Sequence, residues 1–153
     1  MKVLLSILRE MADLPNDPDA VALALNSLGL AVEEMDVVGV PIPGVVTARI
    51  VRMEKHPDAA KVTRCFVDAG DGEERHVWCG ATNMQPGDIV PLATLGTTMP
   101  NGMEIARRGI LGIDSEGMLC SEVELGLSDE SSGLLILPAG SPLGVSPFEV
   151  LGM

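Results

Sequence analysis

The sequence predicts a mainly β protein, a small closed barrel of short strands preceded by a small N-terminal α/β unit. Three observations carry this. From Val45 to Leu95 the chain falls into short runs in which β-branched and polar residues alternate. Turn signals separate the runs: His56-Pro57-Asp58, Gly70-Asp71-Gly72, Gln85-Pro86-Gly87-Asp88 and Pro100-Asn101-Gly102. The strong helix start lies outside them, at Asn16-Asp17-Pro18-Asp19.

Taken in order, Val3 to Leu8 reads as a short strand or the entry to a turn. Asp17 can cap a helix, Pro18 suits its first position, and Asp19 favours its positive end. Val21, Ala24, Leu25 and Leu28 fall on one helical face, and Gly29 stops it. Leu30 to Met35 reads as a strand. An opening unit of this size cannot stand alone, so an incompletely covered apolar face is expected, or one covered by a second copy. Val38 to Gly44, with Pro41 and Pro43, reads as a linker, dividing the chain into residues 1–40 and 41–153. Val45 to Glu54, Val62 to Asp68, Glu74 to Cys79 and Ile89 to Leu95 are strands, with Pro91 placing part of the last at an edge or a bulge. Met103 to Ile113 leads into the stretch from Gly112 to Leu127. There Gly117 permits a close backbone approach, Met118 to Cys120 form a buried run, and Glu122 to Gly126 make a brief helical turn. The pattern alone fits an OB barrel and an SH3-like barrel equally.

The formal net charge is −12 over 153 residues, which by itself argues against nucleic acid. Its distribution softens the argument. Val45 to Arg108 carries eight bases and eight acids, whereas the two flanks hold fourteen acids and two bases. Any phosphate-binding face must therefore draw on Arg49, Arg52, Lys55, Lys61, Arg64, Arg75, Arg107 and Arg108. The odd count of cysteines (Cys65, Cys79, Cys120), widely spaced, points to a reducing compartment. The apolar run Val3 to Leu8 is too short for a signal peptide, and Ser131 to Phe148 is too rich in proline and glycine for a membrane helix. Cys and His lack paired metal-ligand spacing, no nucleophile sits near a base, and there is no phosphate loop or dinucleotide fingerprint.

Ser115-Glu116-Gly117-Met118-Leu119-Cys120-Ser121, followed by Glu124-Leu125-Gly126, resembles the signature of the tRNA-binding OB domain near the N-terminus of bacterial phenylalanyl-tRNA synthetase beta chains. His56 to Lys61, Cys79-Gly80-Ala81-Thr82-Asn83, Ser132 to Leu135 and Leu137-Pro138-Ala139 agree in order and spacing. Leu5 to Glu10 and Leu28 to Glu33 are similar to the same beta chains' opening. The resemblance implies a five-stranded OB barrel over residues 41–153. It also implies a tRNA-binding module that contributes to aminoacylation without carrying catalytic residues. No cofactor is expected in this segment, and ATP and magnesium are implied for the whole synthetase. The implied partners are tRNA, the alpha subunit and the remainder of the beta chain, in the cytoplasm.

Lys61, Asn83, Ser115 and Glu116 match positions on the tRNA-facing side of the family's barrel. Lys61 can neutralise a phosphate and Asn83 can donate to phosphate or ribose. Arg64, Arg107 and Arg108 are the further candidate phosphate contacts. Sequence-specific reading of single strands usually needs aromatic platforms. Only Phe66 and Trp78 could serve, and both fall where burial is expected, so RNA contact is expected through backbone and shape. The chain departs from the family pattern at Ala60, usually Asp, and at Ile110-Leu111-Gly112, usually Leu-Arg-Gly. Leu111 thereby lacks a bidentate phosphate donor.

Overall fold

The computed structural model describes every residue except Leu111. Its elements run α1 (Leu5–Met11), α2 (Pro18–Ser27), β1 (Val45–Lys55), β2 (Thr63–Asp68), β3 (Glu74–Cys79), β4 (Ile89–Thr94), β5 (Arg108–Ile110), β6 (Ile113–Ser115), β7 (Gly117–Leu119) and α3 (Pro147–Val150). The chain divides into two units, Met1–Val37 and Val38–Met153.

In the first unit α2 begins as the sequence requires, with Asp17 accepting from the Asp19 N–H at 3.2 Å and Pro18 in the first turn. Two expectations fail. Of residues 3–8, Leu5 to Leu8 lie in helix α1, because Leu, Arg, Glu and Met are strong helix formers and Leu5 and Leu8 share a half-buried face at three-residue spacing. Leu30 to Met35 forms no strand, since an extended segment with no neighbour to pair with gains no ladder. Val21 is buried, whereas Val3, Leu4, Ile7, Met11, Leu23, Leu28 and Leu30 are exposed.

The second unit is a mainly β, five-stranded OB-type barrel. Its sheet runs β3-β2-β1-β4-β7, antiparallel throughout. Closure against β3 comes from a few bonds to the β6–β7 junction in place of a full ladder: the Glu116 N–H donates to the His76 carbonyl at 2.9 Å, and the Trp78 N–H to Ser115 Oγ at 3.1 Å. Alternation fills the interior with Ala48, Ile50, Cys65, Val67, Val77, Val90, Leu92 and Leu119. A second cluster forms around Phe148 of α3, with Val45, Ala93, Met99, Ile105, Cys120 and Leu125. Gly117 lets β7 close on β4, because a Cβ there would lie 2.7 Å from the Ala93 carbonyl oxygen.

Two irregularities shape the barrel. Pro91 lies in β4 between β1 and β7, not on an outer strand. Its carbonyl accepts from the Cys120 N–H at 3.0 Å, and the β4–β7 ladder begins only at Leu92. The missing N–H of Pro91 therefore falls just beyond that ladder's end, where none is needed. Opposite it, the backbone of Thr47 pairs with residues 144 and 145, at 2.9 Å from the Gly144 N–H and 2.8 Å to the Val145 carbonyl. The bulge lies instead in β1, where Ile50 pairs with Val67 and Arg52 with Phe66, leaving Val51 extra.

Candidate nucleic-acid interface

The hairpin β2–β3 has two faces of opposite character. Cys65, Val67, Val77 and Cys79 point into the barrel. Arg64, Phe66, His76 and Trp78 point away from it, in the register Arg64↔Trp78 and Phe66↔His76. β1 extends the outer face with Arg52 beside Phe66 and Glu54 beside Arg64. The Arg52 guanidinium carbon lies 3.8 Å from the Phe66 ring centroid, and that of Arg64 lies 4.7 Å from Phe66 and 5.9 Å from Trp78. Such contacts order arginines that would otherwise be mobile. The His56 ring sits 4.7 Å from that of Trp78.

The polar residues singled out from sequence divide into two groups. Ser115 is buried; its Oγ accepts from Trp78 and donates to the Gly117 carbonyl at 3.0 Å. Glu116 accepts from the His76 N–H at 3.2 Å and lies 3.7 Å from His76 Nε2 and 4.0 Å from Arg107 Nη2. Both residues hold the β6–β7 junction against β3. Asn83 pairs with the backbone of Leu134 in both directions, donating to its carbonyl and accepting from its N–H, each at 2.9 Å. Gly133 makes room for it, since a Cβ there would lie 2.2 Å from Asn83 Oδ1. Sequence reasoning offered Asn83 as a donor to phosphate or ribose. It is the clamp of a segment fifty-one residues away, and no local signal marks that pairing.

The second group faces solvent. Lys61 is exposed in the β1–β2 turn and forms no ion pair among the described residues. Since Thr63 pairs with Cys79, Lys61 and Asn83 leave the hairpin at the same end. Arg107 and Arg108 are exposed, and Arg108 pairs with Ser115 through the β5–β6 ladder. Ala60 is exposed beside Lys61, and Leu111 lies outside the described residues. Sequence reasoning counted Arg52 among the middle segment's bases but did not single it out as a contact. The bulge at Val51 could not be read from alternation, which would place Arg52 inward.

Acids hold several of the cations. Arg52 contacts Glu54 at 3.3 Å and Glu74 at 3.2 Å, and Arg75 contacts Asp71 at 2.6 Å. The hydrogen bond from Arg75 holds the exposed Asp71 carboxyl below the usual range. The thiols are buried and free. Burial, then repulsion from Cys79, pushes Cys65 up to about 12. Burial, then Glu124, pushes Cys120 to about 12, and burial raises Cys79. They are core residues, protonated at neutral pH and poor nucleophiles. Among the described residues no group of three or more His, Cys, Asp or Glu side chains could hold a metal ion. Nor is any described helix long and apolar enough to cross a membrane.

A five-stranded barrel with arginines and aromatics on one outer wall defines a class of nucleic-acid-facing modules. The chain belongs to the family described as "Putative tRNA binding domain", which matches residues 45–146, the barrel itself. Over its length it is similar to phenylalanine–tRNA ligase beta subunits. It is 47% identical over 146 residues to that of Syntrophotalea carbinolica, covering 95% of this chain and 18% of the relative. It is 45% identical to that of Anaeromyxobacter dehalogenans and 42% to that of Syntrophus aciditrophicus, covering 100% of this chain and 19% of each relative. The chain thus spans about a fifth of the length of these relatives.

Proposed function

We propose that this chain is the tRNA-binding module of a phenylalanine–tRNA ligase beta subunit, and that it supports aminoacylation by holding tRNA while the chemistry proceeds elsewhere. The observation that carries this is the coincidence of the family match with the barrel at residues 45–146, with similarity to beta subunits extending on into the N-terminal unit. ATP and magnesium belong to the remainder of the synthetase on this reading. The alpha subunit and the rest of the beta chain are its protein partners, and the cytoplasm is its place of work. The exposed Val3, Leu4, Ile7 and Leu28 support a docking role for the N-terminal unit against further chain or a second copy. Solution scattering that finds the isolated chain monomeric with these residues shielded would remove that part.

A salt series of tRNA binding tests the central claim. With Lys61, Arg64 and Arg107 on phosphates, log affinity falls against log salt with a slope of roughly −2 to −3. Lys61→Glu weakens binding uniformly across tRNA species, as a phosphate contact must. The second reading, a protein-interaction module with little RNA affinity, is favoured by one observation: glutamates engage Arg52 and border Arg107. A flat salt series would select it.

A further inference from the structure

The turn between β1 and β2 carries the exposed Lys61, and one residue at its start holds that turn in three ways. The His56 N–H donates to the Val62 carbonyl at 3.1 Å and closes the loop at its neck. His56 Nδ1 accepts from the Asp58 N–H at 3.0 Å and fixes the backbone on the far side of Pro57. The imidazole ring lies 4.7 Å from the Trp78 ring, which ties the turn to β3. Nearer Lys61, the Val62 N–H donates to the Ala59 carbonyl at 3.3 Å. His56 itself is 4% exposed, so its ring is too deep to meet a phosphate. Whatever it does for binding, it does through the turn.

We propose that His56 is a positioning residue, whose imidazole holds the β1–β2 turn so that Lys61 meets the RNA backbone already ordered. It rests on the reading of Lys61 as a phosphate contact and adds a buried residue to that contact. A lysine on a loose turn gives up part of its attraction to the cost of ordering the backbone beneath it. A turn ordered beforehand avoids that cost. The imidazole combines two functions here. Its flat face packs against Trp78, and its Nδ1 is an acceptor for an N–H two residues along the chain. Phenylalanine would keep the first and lose the second. Asparagine would keep the second, since its side chain reaches the same N–H in an Asx turn, and lose the first.

The test is a double-mutant cycle on the full chain, with labelled tRNA followed by anisotropy over a salt series. Lys61→Ala should make the salt slope shallower by about 0.9. His56→Phe should weaken binding about three- to tenfold and move the slope in the same direction. In the Lys61→Ala background, His56→Phe should change affinity by less than about twofold. His56→Asn, which returns an acceptor to the Asp58 N–H, should recover most of the lost affinity. Equal weakening by His56→Phe in both backgrounds marks a merely structural role and overturns the proposal, as does unchanged affinity in the single variant. Urea midpoints check that each variant folds. His56→Leu replaces His56→Phe in the cycle should the latter not fold, and failure of both assigns His56 to the core and overturns the proposal. If Lys61→Ala shifts the slope as expected while His56→Phe shows no coupling to it, only the positioning role fails. If Lys61→Ala changes neither affinity nor slope, or the unmodified chain does not bind tRNA, the reading of Lys61 fails and the positioning role with it.

Discussion

The two faces of the β2–β3 hairpin use one backbone for two incompatible tasks. Inside, Cys65, Val67, Val77 and Cys79 pack with Ile50 and Leu92 and exclude water. Outside, Arg64, Phe66, His76 and Trp78 present charge and aromatic surface in a row. Both rows have the same strand spacing, so what differs is the consequence of change. A substitution inside disturbs close packing, whose cost is set by lost volume. A substitution of an outward arginine such as Arg52 exchanges a group already in contact with water, and its cost is expected in binding. The two tasks fall on opposite faces of this hairpin, and the rim residues Asn83, Ser115 and Glu116 are engaged in hydrogen bonds within the chain.

The sharpest way to break that separation is a large interior truncation. Ile50→Ala should cost about 2–5 kcal/mol in chemical denaturation, with RNA affinity of the remaining folded fraction unchanged. A smaller loss is expected at the rim. Asn83→Ala leaves the Leu134 N–H and carbonyl without partners and should cost about 1–3 kcal/mol. Folded Asn83→Ala protein that binds tRNA normally would place Asn83 with the structural group. Reduced affinity in fully folded protein would return it to the binding face.

The interior thiols offer a test through pH. Cys65 and Cys120 stand at about 12 in the folded chain against 9.0 for the free group. Between those values the unfolded chain has lost protons that the folded chain keeps, so unfolding is favoured as pH rises. Stability from this source is intact below pH 9.0 and declines above it by up to about 1.4 kcal/mol per pH unit for each thiol. Urea midpoints should fall accordingly, and Cys65→Ala should make the decline shallower. On the outer face the expected stability effect is smallest. Arg52→Lys should change the urea midpoint by the equivalent of less than about 1 kcal/mol, because its ion pairs with Glu54 and Glu74 are exposed.

Much of this could be read from the chain itself. β-branched alternation marked Val45 to Glu54, Val62 to Asp68, Glu74 to Cys79 and Ile89 to Leu95, and the strands lie there within a residue or so at each end. The capping pattern at Asp17-Pro18 placed α2. Gly117 was legible as a close approach, and the contiguous Ser121-Glu122-Val123-Glu124 forms a capping turn in which the Ser121 N–H and Oγ donate to Glu124 Oε2. The short opening segment was misread because leucine-rich runs of that length suit helix and strand alike.

Sequence by itself determined the barrel, its strand boundaries, the neutral charge of the middle segment and the face each alternating residue takes, because these follow from local geometry with a period of two. Tertiary structure decided which polar groups are already occupied, why Pro91 is tolerated inside a sheet, and that Arg52 faces outward. Those outcomes depend on partners remote in the chain: Leu134 for Asn83, Trp78 for Ser115, and Val67 and Phe66 for the bulge at Val51. A hydrogen bond or a register shift is a property of two segments brought together, and neither segment alone carries a record of it.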